Sequence, residues 1–267
     1  MGLADRDYYH RQPSGYGPMS GSPFGIGGSL TPRSVTAWLI AINVAVFLLN
    51  AIVRVRYVLP VPVTIVYEDG SVEHTVRKLV FPLIEGLGHF SAYTALFKYQ
   101  VWRFLTFQFL HAGIGHLFGN MLALYFFGPL VEQYLGSRRY LYFYLICGIG
   151  GPIAYLMFML FGILPFQAVV PLVGASAGIF GILIAAARVA PDVTVMLLFP
   201  PIPMRLRTLA WVFVAIAAFT VFTSGNNAGG EAAHLGGAVL GYFLIRHPHV
   251  LTFRLPGRRP NYMRYDR

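Results

Sequence analysis

Charge is what this chain has least of. Only 11% of its 267 residues are charged while 56% are hydrophobic, and the mean hydropathy is +0.61; a soluble domain is about a quarter charged. Asp, Glu, Lys and Arg are missing altogether from 34–53, 104–131, 140–187, 208–230 and 232–245. That scarcity excludes an ordinary soluble globule and leaves a polytopic membrane protein. Cysteine is nearly absent too. Cys147 stands alone inside an apolar run, which excludes a disulfide framework or a cysteine-built metal cluster within one chain.

A helix needs about 20 apolar residues to cross a bilayer core. The run 140–187 is long enough for two crossings, and Gly162, Pro165, Pro171 and Gly174 in its middle are residues that end one helix and restart another. Six spans are therefore expected. The sixth, at 14 uncharged residues, reaches roughly 21 Å against a core of about 30 Å and must borrow its flanks, Arg246 snorkelling its charge outward.

Six spans put both termini on one side. With that side inside, fourteen basic residues lie inside and six outside, so the positive-inside bias places both termini in the cytoplasm. This absorbs most of the net charge of +10 without nucleic acid as a partner. The expected organisation is a disordered cytoplasmic tail over 1–33, a membrane domain over 34–246 and a basic cytoplasmic tail over 247–267. No cleavable signal precedes the first span, which reads as an uncleaved anchor. The outer loop, 54–103, is the one long loop. Val63 to Val76 alternates around Glu68-Asp69-Gly70 and predicts a β-hairpin, while Leu79 to Phe97, apolar but broken by Pro82 and glycines, is expected to lie at the membrane interface.

Polar side chains within spans are costly, and each is a functional-site hypothesis. His111, His116 and Asn120 lie in the second expected span, Ser176 within Gly174-Ala175-Ser176-Ala177-Gly178 in the fourth, and Glu231 and His234 at the start of the sixth. These three spans run from outside to inside, so the groups share one depth. Taken singly, each has an ordinary packing explanation: small residues let membrane helices approach, and histidine or asparagine bridges them. Jointly they are the parts of an acyl-transfer site. A serine becomes a nucleophile beside a histidine base, and fixed donors such as His116 and Asn120, four apart on one helical face, suit a developing oxyanion. Glycines beside His234 would let the two helices close to a serine-to-histidine hydrogen bond. Glu231 is expected to serve the start of its helix, a role worth about 0.3–1 kcal/mol.

Over roughly residues 98 to 246 the sequence resembles the rhomboid intramembrane serine proteases. The resemblance rests on Trp102-Arg103, the array His111-x4-His116-x3-Asn120, Gly174-Ala175-Ser176, and Ala233-His234 leading to Gly237 and Gly241. It implies an all-α integral membrane fold, a six-transmembrane-helix rhomboid-like bundle, to which the alternation in the long outer loop adds a small β-hairpin. It also implies Ser176 as nucleophile, His234 as general base, and His116 with Asn120 as oxyanion donors, a two-residue mechanism without a catalytic acid. By the same resemblance His111 is architectural, Trp102 and Arg103 stabilise the outer loop, and Glu132 is a structural carboxylate. Two positions depart from the family: its frequent glycine after the serine is Ala177, and its frequent tyrosine is Phe180, which can stack on the histidine but cannot hydrogen-bond.

The resemblance thus implies a serine endopeptidase that cleaves membrane proteins within or next to their transmembrane segments. Its partners are transmembrane-segment substrates and the lipid bilayer, with no metal or other cofactor, and the expected location is a bacterial plasma membrane. The competing readings are an inactive rhomboid-like protein that binds membrane clients, from which the serine or histidine is typically missing, and a small transporter. The transporter is disfavoured because the inner halves of the spans offer no continuous polar path.

Overall fold

The structure, a computed structural model, describes residues 34–196 and 201–252. The tail expected over 1–33, and residues 253–267 of the expected basic tail, lie outside the described residues.

Helix α1 (Val35–Ile52) opens on Ser34, whose Oγ accepts from the Ala37 N–H at 3.4 Å. It leads into an antiparallel hairpin, β1 (Arg56–Val66) and β2 (Val72–Pro82), in register from Arg56↔Pro82 to Val66↔Val72. Gly70 takes φ +81 in its turn, and the Ser71 N–H and Oγ–H both donate to Asp69. Each strand has 11 residues, so the hairpin is longer than the alternation around Gly70 suggests. Pro60, Pro62 and the apolar run Leu79-Val80-Phe81 hide the period, yet a two-stranded sheet leaves every strand an open edge that tolerates proline. The chain continues through α2 (Leu83–Gly88), one wide helical turn over Tyr93–Phe97, and α3 (Arg103–Thr106). The stretch expected at the membrane interface is therefore divided between the end of β2, α2 and that turn, with Phe90 and Ala92 fully buried between them.

The bundle follows as α4 (Ile114–Leu135), α5 (Ser137–Leu160), α6 (Ser176–Val189), a small hairpin of β3 (Thr194–Met196) and β4 (Pro203–Arg205), α7 (Leu206–Phe222) and α8 (Ala228–Arg246). Gly136, at φ +79, reverses the chain between α4 and α5 in a single residue. Three helices, α1, α4 and α5, are long and apolar enough to cross a membrane; α6 and α7 are apolar but shorter, at 14 and 17 residues. Helix α8 gains length by starting at Ala228 and taking Glu231 into its first turn, which gives it 19 residues or about 28 Å.

Trp211, Phe219 and Phe222 on α7 are exposed, Phe219 at 71%, whereas Asn43, Arg103, Gln108 and Asn120 are buried. Apolar residues outside and polar ones inside call for an apolar solvent, so the protein is an integral membrane protein. The interior is closed by α5, α6 and α8, which meet through glycine and alanine. A Cβ on Gly237 would stand 1.9 Å from the Ala177 carbonyl oxygen, and one on Gly241 2.5 Å from the Gly181 Cα. At both positions backbone lies against backbone, so α6 and α8 approach as closely as two helices can.

At the opposite end of the bundle from the long hairpin, Glu132 ties α4 to the start of α1. Its carboxylate accepts from the Val35 N–H at 2.7 Å, the Thr36 N–H at 3.0 Å, and the hydroxyls of Ser34, Thr36 and Ser137 at 2.7–2.9 Å.

Candidate active site

Ser176 is the first residue of α6, and the backbone ahead of it decides where its hydroxyl goes. Gly174 adopts φ +132, a conformation open to glycine and strained for other residues. Its amide donates to the Phe107 carbonyl at 3.0 Å, and two residues earlier Phe90 and Leu172 exchange N–H···O bonds of 3.0 and 2.7 Å. These bonds hold the segment before the serine against the outer loop. A side chain at Gly174 would meet His116 Nε2 at 2.9 Å and Ser176 Oγ at 3.5 Å. Imidazole and hydroxyl thus face a single point that only a glycine leaves free.

Both side chains line a cavity of about 630 Å³, whose lining also includes Asn120, Phe180 and His234. His116 and Asn120 come from the first two turns of α4, Ser176 and Phe180 from α6, and His234 from α8. Asn120 is buried and its Nδ2 has no hydrogen-bond partner among the described residues. No protein group uses that donor, which belongs to a residue of the cavity wall. The His234 ring is held on two sides. Its face stacks on Phe180, with centroids 4.2 Å apart and planes 12° from parallel, and its Nδ1 donates to Glu231 Oε2 at 2.8 Å. With Nδ1 committed as donor, Nε2 is left as an acceptor, the tautomer being assigned from this bond.

The structure departs from expectation at two points and adds a contact at a third. No hydrogen bond joins Ser176 to His234 in this arrangement; in a site without substrate such bonds are commonly long and tighten as the complex forms. His111 lies outside α4. The helix begins at Ile114 because Gly113 is extended, at φ −175, so His111 sits in the connection before it, buried edge-on against His116 with centroids 5.1 Å apart. Glu231 stands in the first turn of α8, where a helix-start charge is expected, and its carboxylate also contacts His234. Its three-residue spacing from His234 on a helix was the one available signal of that contact.

Around the cavity the remaining motif residues hold backbone together. Buried Arg103 donates to the carbonyls of His89 at 2.6 Å and Gly86 at 2.7 Å and to Gln100 Oε1, while Trp102 Nε1 donates to the Leu87 carbonyl at 3.2 Å. These bonds tie the end of the outer loop, Gln100 to Arg103, back onto its own Gly86–His89 segment. Burial, with the Arg103 charge adding to it, pushes the His89 imidazole down to about 4. The cavity walls supplied by Val173, Phe127 and Phe213 had no counterpart in the sequence reading, because only packing brings such distant apolar residues together.

Comparison with known proteins agrees with this architecture. RHOMBOID-like protein 1 of Arabidopsis thaliana is 32% identical over 161 residues, 60% of this chain and 38% of that protein. Rhomboid protease GluP of Bacillus subtilis (strain 168) is 36% identical over 143 residues, 53% of this chain and 25% of that protein. Inactive RHOMBOID-like protein 8 of Arabidopsis thaliana is 33% identical over 100 residues, 38% of this chain and 26% of that protein. The matched segments thus span well under half of these relatives' own length. The Rhomboid domain family matches residues 98–247, more than half of the sequence and the whole of the cavity-forming bundle from α4 to α8, and the chain belongs to that family.

Proposed function

We propose that the protein is an intramembrane serine endopeptidase that cuts other membrane proteins within or beside their transmembrane segments. The observation that carries this reading is the single cavity lined by Ser176, His234, His116 and Asn120. Ser176 Oγ attacks the peptide carbonyl carbon while His234 Nε2 takes its proton. The charge that develops on the carbonyl oxygen is met by Asn120 Nδ2, by His116, and by the N–H groups and positive end of α6, at whose first residue the nucleophile sits. Collapse of the tetrahedral intermediate breaks the C–N bond, and the proton on Nε2 passes to the leaving amine. Water then resolves the acyl-enzyme by the same steps. Phe180 keeps the imidazole plane fixed without hydrogen-bonding it, and Ala177 is small enough to pack against Gly237.

In this reading α1, α4, α5, α6, α7 and α8 are the six spans. The long hairpin lies outside and both termini lie in the cytoplasm, in the plasma membrane of a bacterium. Helix α6, about 21 Å long, does not reach across a core of about 30 Å, so its serine starts below the outer surface, where the mouth of the cavity admits water.

The test uses purified protein in detergent with a model transmembrane substrate and a fluorophosphonate probe. Wild type cleaves the substrate and is labelled; Ser176→Ala and His234→Ala remain folded, lose cleavage and are not labelled. Wild-type turnover by Ser176→Ala would end the protease reading and leave that of an inactive client-binding relative.

A further inference from the structure

The contact between Glu231 and His234 has no place in a two-residue serine and histidine mechanism, and it is too well formed to be incidental. Glu231 Oε2 lies 2.8 Å from His234 Nδ1, with the two side chains only 20% and 16% exposed. A carboxylate near a membrane-embedded site carries a desolvation cost that needs a partner. The start of α8 does not supply that partner. Asn227, ahead of the helix, takes the left-handed conformation at φ 64 and makes no side-chain cap. Among the described residues the one hydrogen bond of the Glu231 carboxylate is to the imidazole.

We infer that Glu231 is a positioning residue for His234, making the site a serine, histidine and carboxylate arrangement; the inference rests on the reading of Ser176 and His234 as nucleophile and base. The Nδ1–H···Oε2 bond fixes the tautomer in which Nε2 carries the lone pair. It also fixes the rotation of the ring about its own plane, the one freedom that stacking on Phe180 leaves. When Ser176 Oγ bonds to the carbonyl carbon, its proton moves to Nε2 and the ring becomes an imidazolium with both nitrogens protonated. The Glu231 carboxylate faces that new positive charge, while His116 lies on the α4 side of the same cavity. Glu231 keeps its negative charge throughout and takes no proton, so the balance of the step is unchanged.

Three substitutions at one position separate this role from a charge at a helix start. Glu231→Gln keeps the length and an oxygen acceptor but loses the charge. Glu231→Asp keeps the charge at the start of α8 but is one methylene too short to reach Nδ1. Glu231→Ala loses both. Positioning predicts kcat in the order Glu, then Gln, then Asp and Ala together, with Ala down about 10- to 100-fold and KM within about twofold of wild type; the loss is smaller than the ~10⁴-fold seen for a fully buried triad carboxylate because this pair is partly solvated. A helix-start charge predicts Asp equal to wild type with Gln and Ala reduced together, and that order overturns the inference, as does wild-type kcat in all three. Thermal unfolding in the same detergent and Ser176→Ala run alongside. If Ser176→Ala is dead and Glu231→Ala is fully active, the positioning role alone fails; if Ser176→Ala is active, the protease reading fails with it.

Discussion

Gly237→Ala adds one methyl group where α8 crosses α6, and the structure says what that methyl group meets. An ideal Cβ would stand 1.9 Å from the Ala177 carbonyl oxygen, 2.6 Å from its carbonyl carbon and 3.1 Å from its Cα. Carbon and carbonyl oxygen rest no closer than about 3.3 Å even in favourable contacts. The neighbour is backbone, which no rotamer change can move aside, so the two helices must part by more than 1 Å. Overpacking of this kind costs about 1–3 kcal/mol, against a gain of up to about 1 kcal/mol in intrinsic helix propensity when alanine replaces glycine. The functional cost is larger than the stability cost. Ala177 follows Ser176, the proposed nucleophile, directly and Gly237 is one turn beyond His234, so parting the helices there parts His234 from Ser176. A displacement of about 1 Å in a positioned catalytic pair lowers turnover about 10²-fold. The assay is kcat and KM on a transmembrane substrate in detergent together with unfolding in the same micelles. Gly115→Ala serves as the control, since a Cβ there meets nothing within 4 Å. A Gly237→Ala protein with wild-type kcat and an unfolding midpoint no lower than that of Gly115→Ala would refute the reasoning.

Three further outcomes follow from the same geometry. Asn120→Ala removes an unpartnered donor and should lower kcat about 10²-fold with KM little changed, because the oxyanion charge exists only in the transition state; a raised KM at constant kcat would instead make Asn120 a substrate-binding or packing residue. Glu132→Gln leaves at least one of the two backbone N–H groups at the start of α1 without an acceptor, a loss of about 2–4 kcal/mol, visible as an earlier unfolding transition in detergent and absent if the five hydrogen bonds contribute nothing. His89, held near pKa 4 by burial, is neutral in the folded loop but protonates at about 6.5 when unfolded, so the unfolded state binds more protons in between; stability should fall as pH drops from about 6.5 to about 4, by up to roughly 3 kcal/mol. His89→Phe should flatten that slope, and an unchanged slope would move the effect to another group.

Much of this protein is written locally. A bilayer excludes charge, so uncharged runs mark the membrane helices, and the combination of Trp102-Arg103, His111, His116, Asn120, Gly174-Ala175-Ser176 and Ala233-His234 with its glycines is enough to name the rhomboid family before any coordinates are known. The positions of helix ends are another matter, because hydropathy records the absence of charge and says nothing of which backbone groups pair. The uncharged run from 104 contains most of α3 and a tight turn before α4 starts at Ile114, and α8 carries the charged Glu231 within its first turn. The proposed site depends on contacts between residues far apart in the chain. The bridge between the Phe90 and Leu172 segments that sets the path into Ser176, the backbone crossing at Gly237, and Phe180 lying flat on His234 all join parts of the chain that no local pattern relates to one another. The bond from Glu231 to His234 lies between the two cases: its spacing is local, but whether the carboxylate of this first-turn residue also meets the imidazole depends on where Phe180 and α6 hold the ring, and that is decided by the folded bundle.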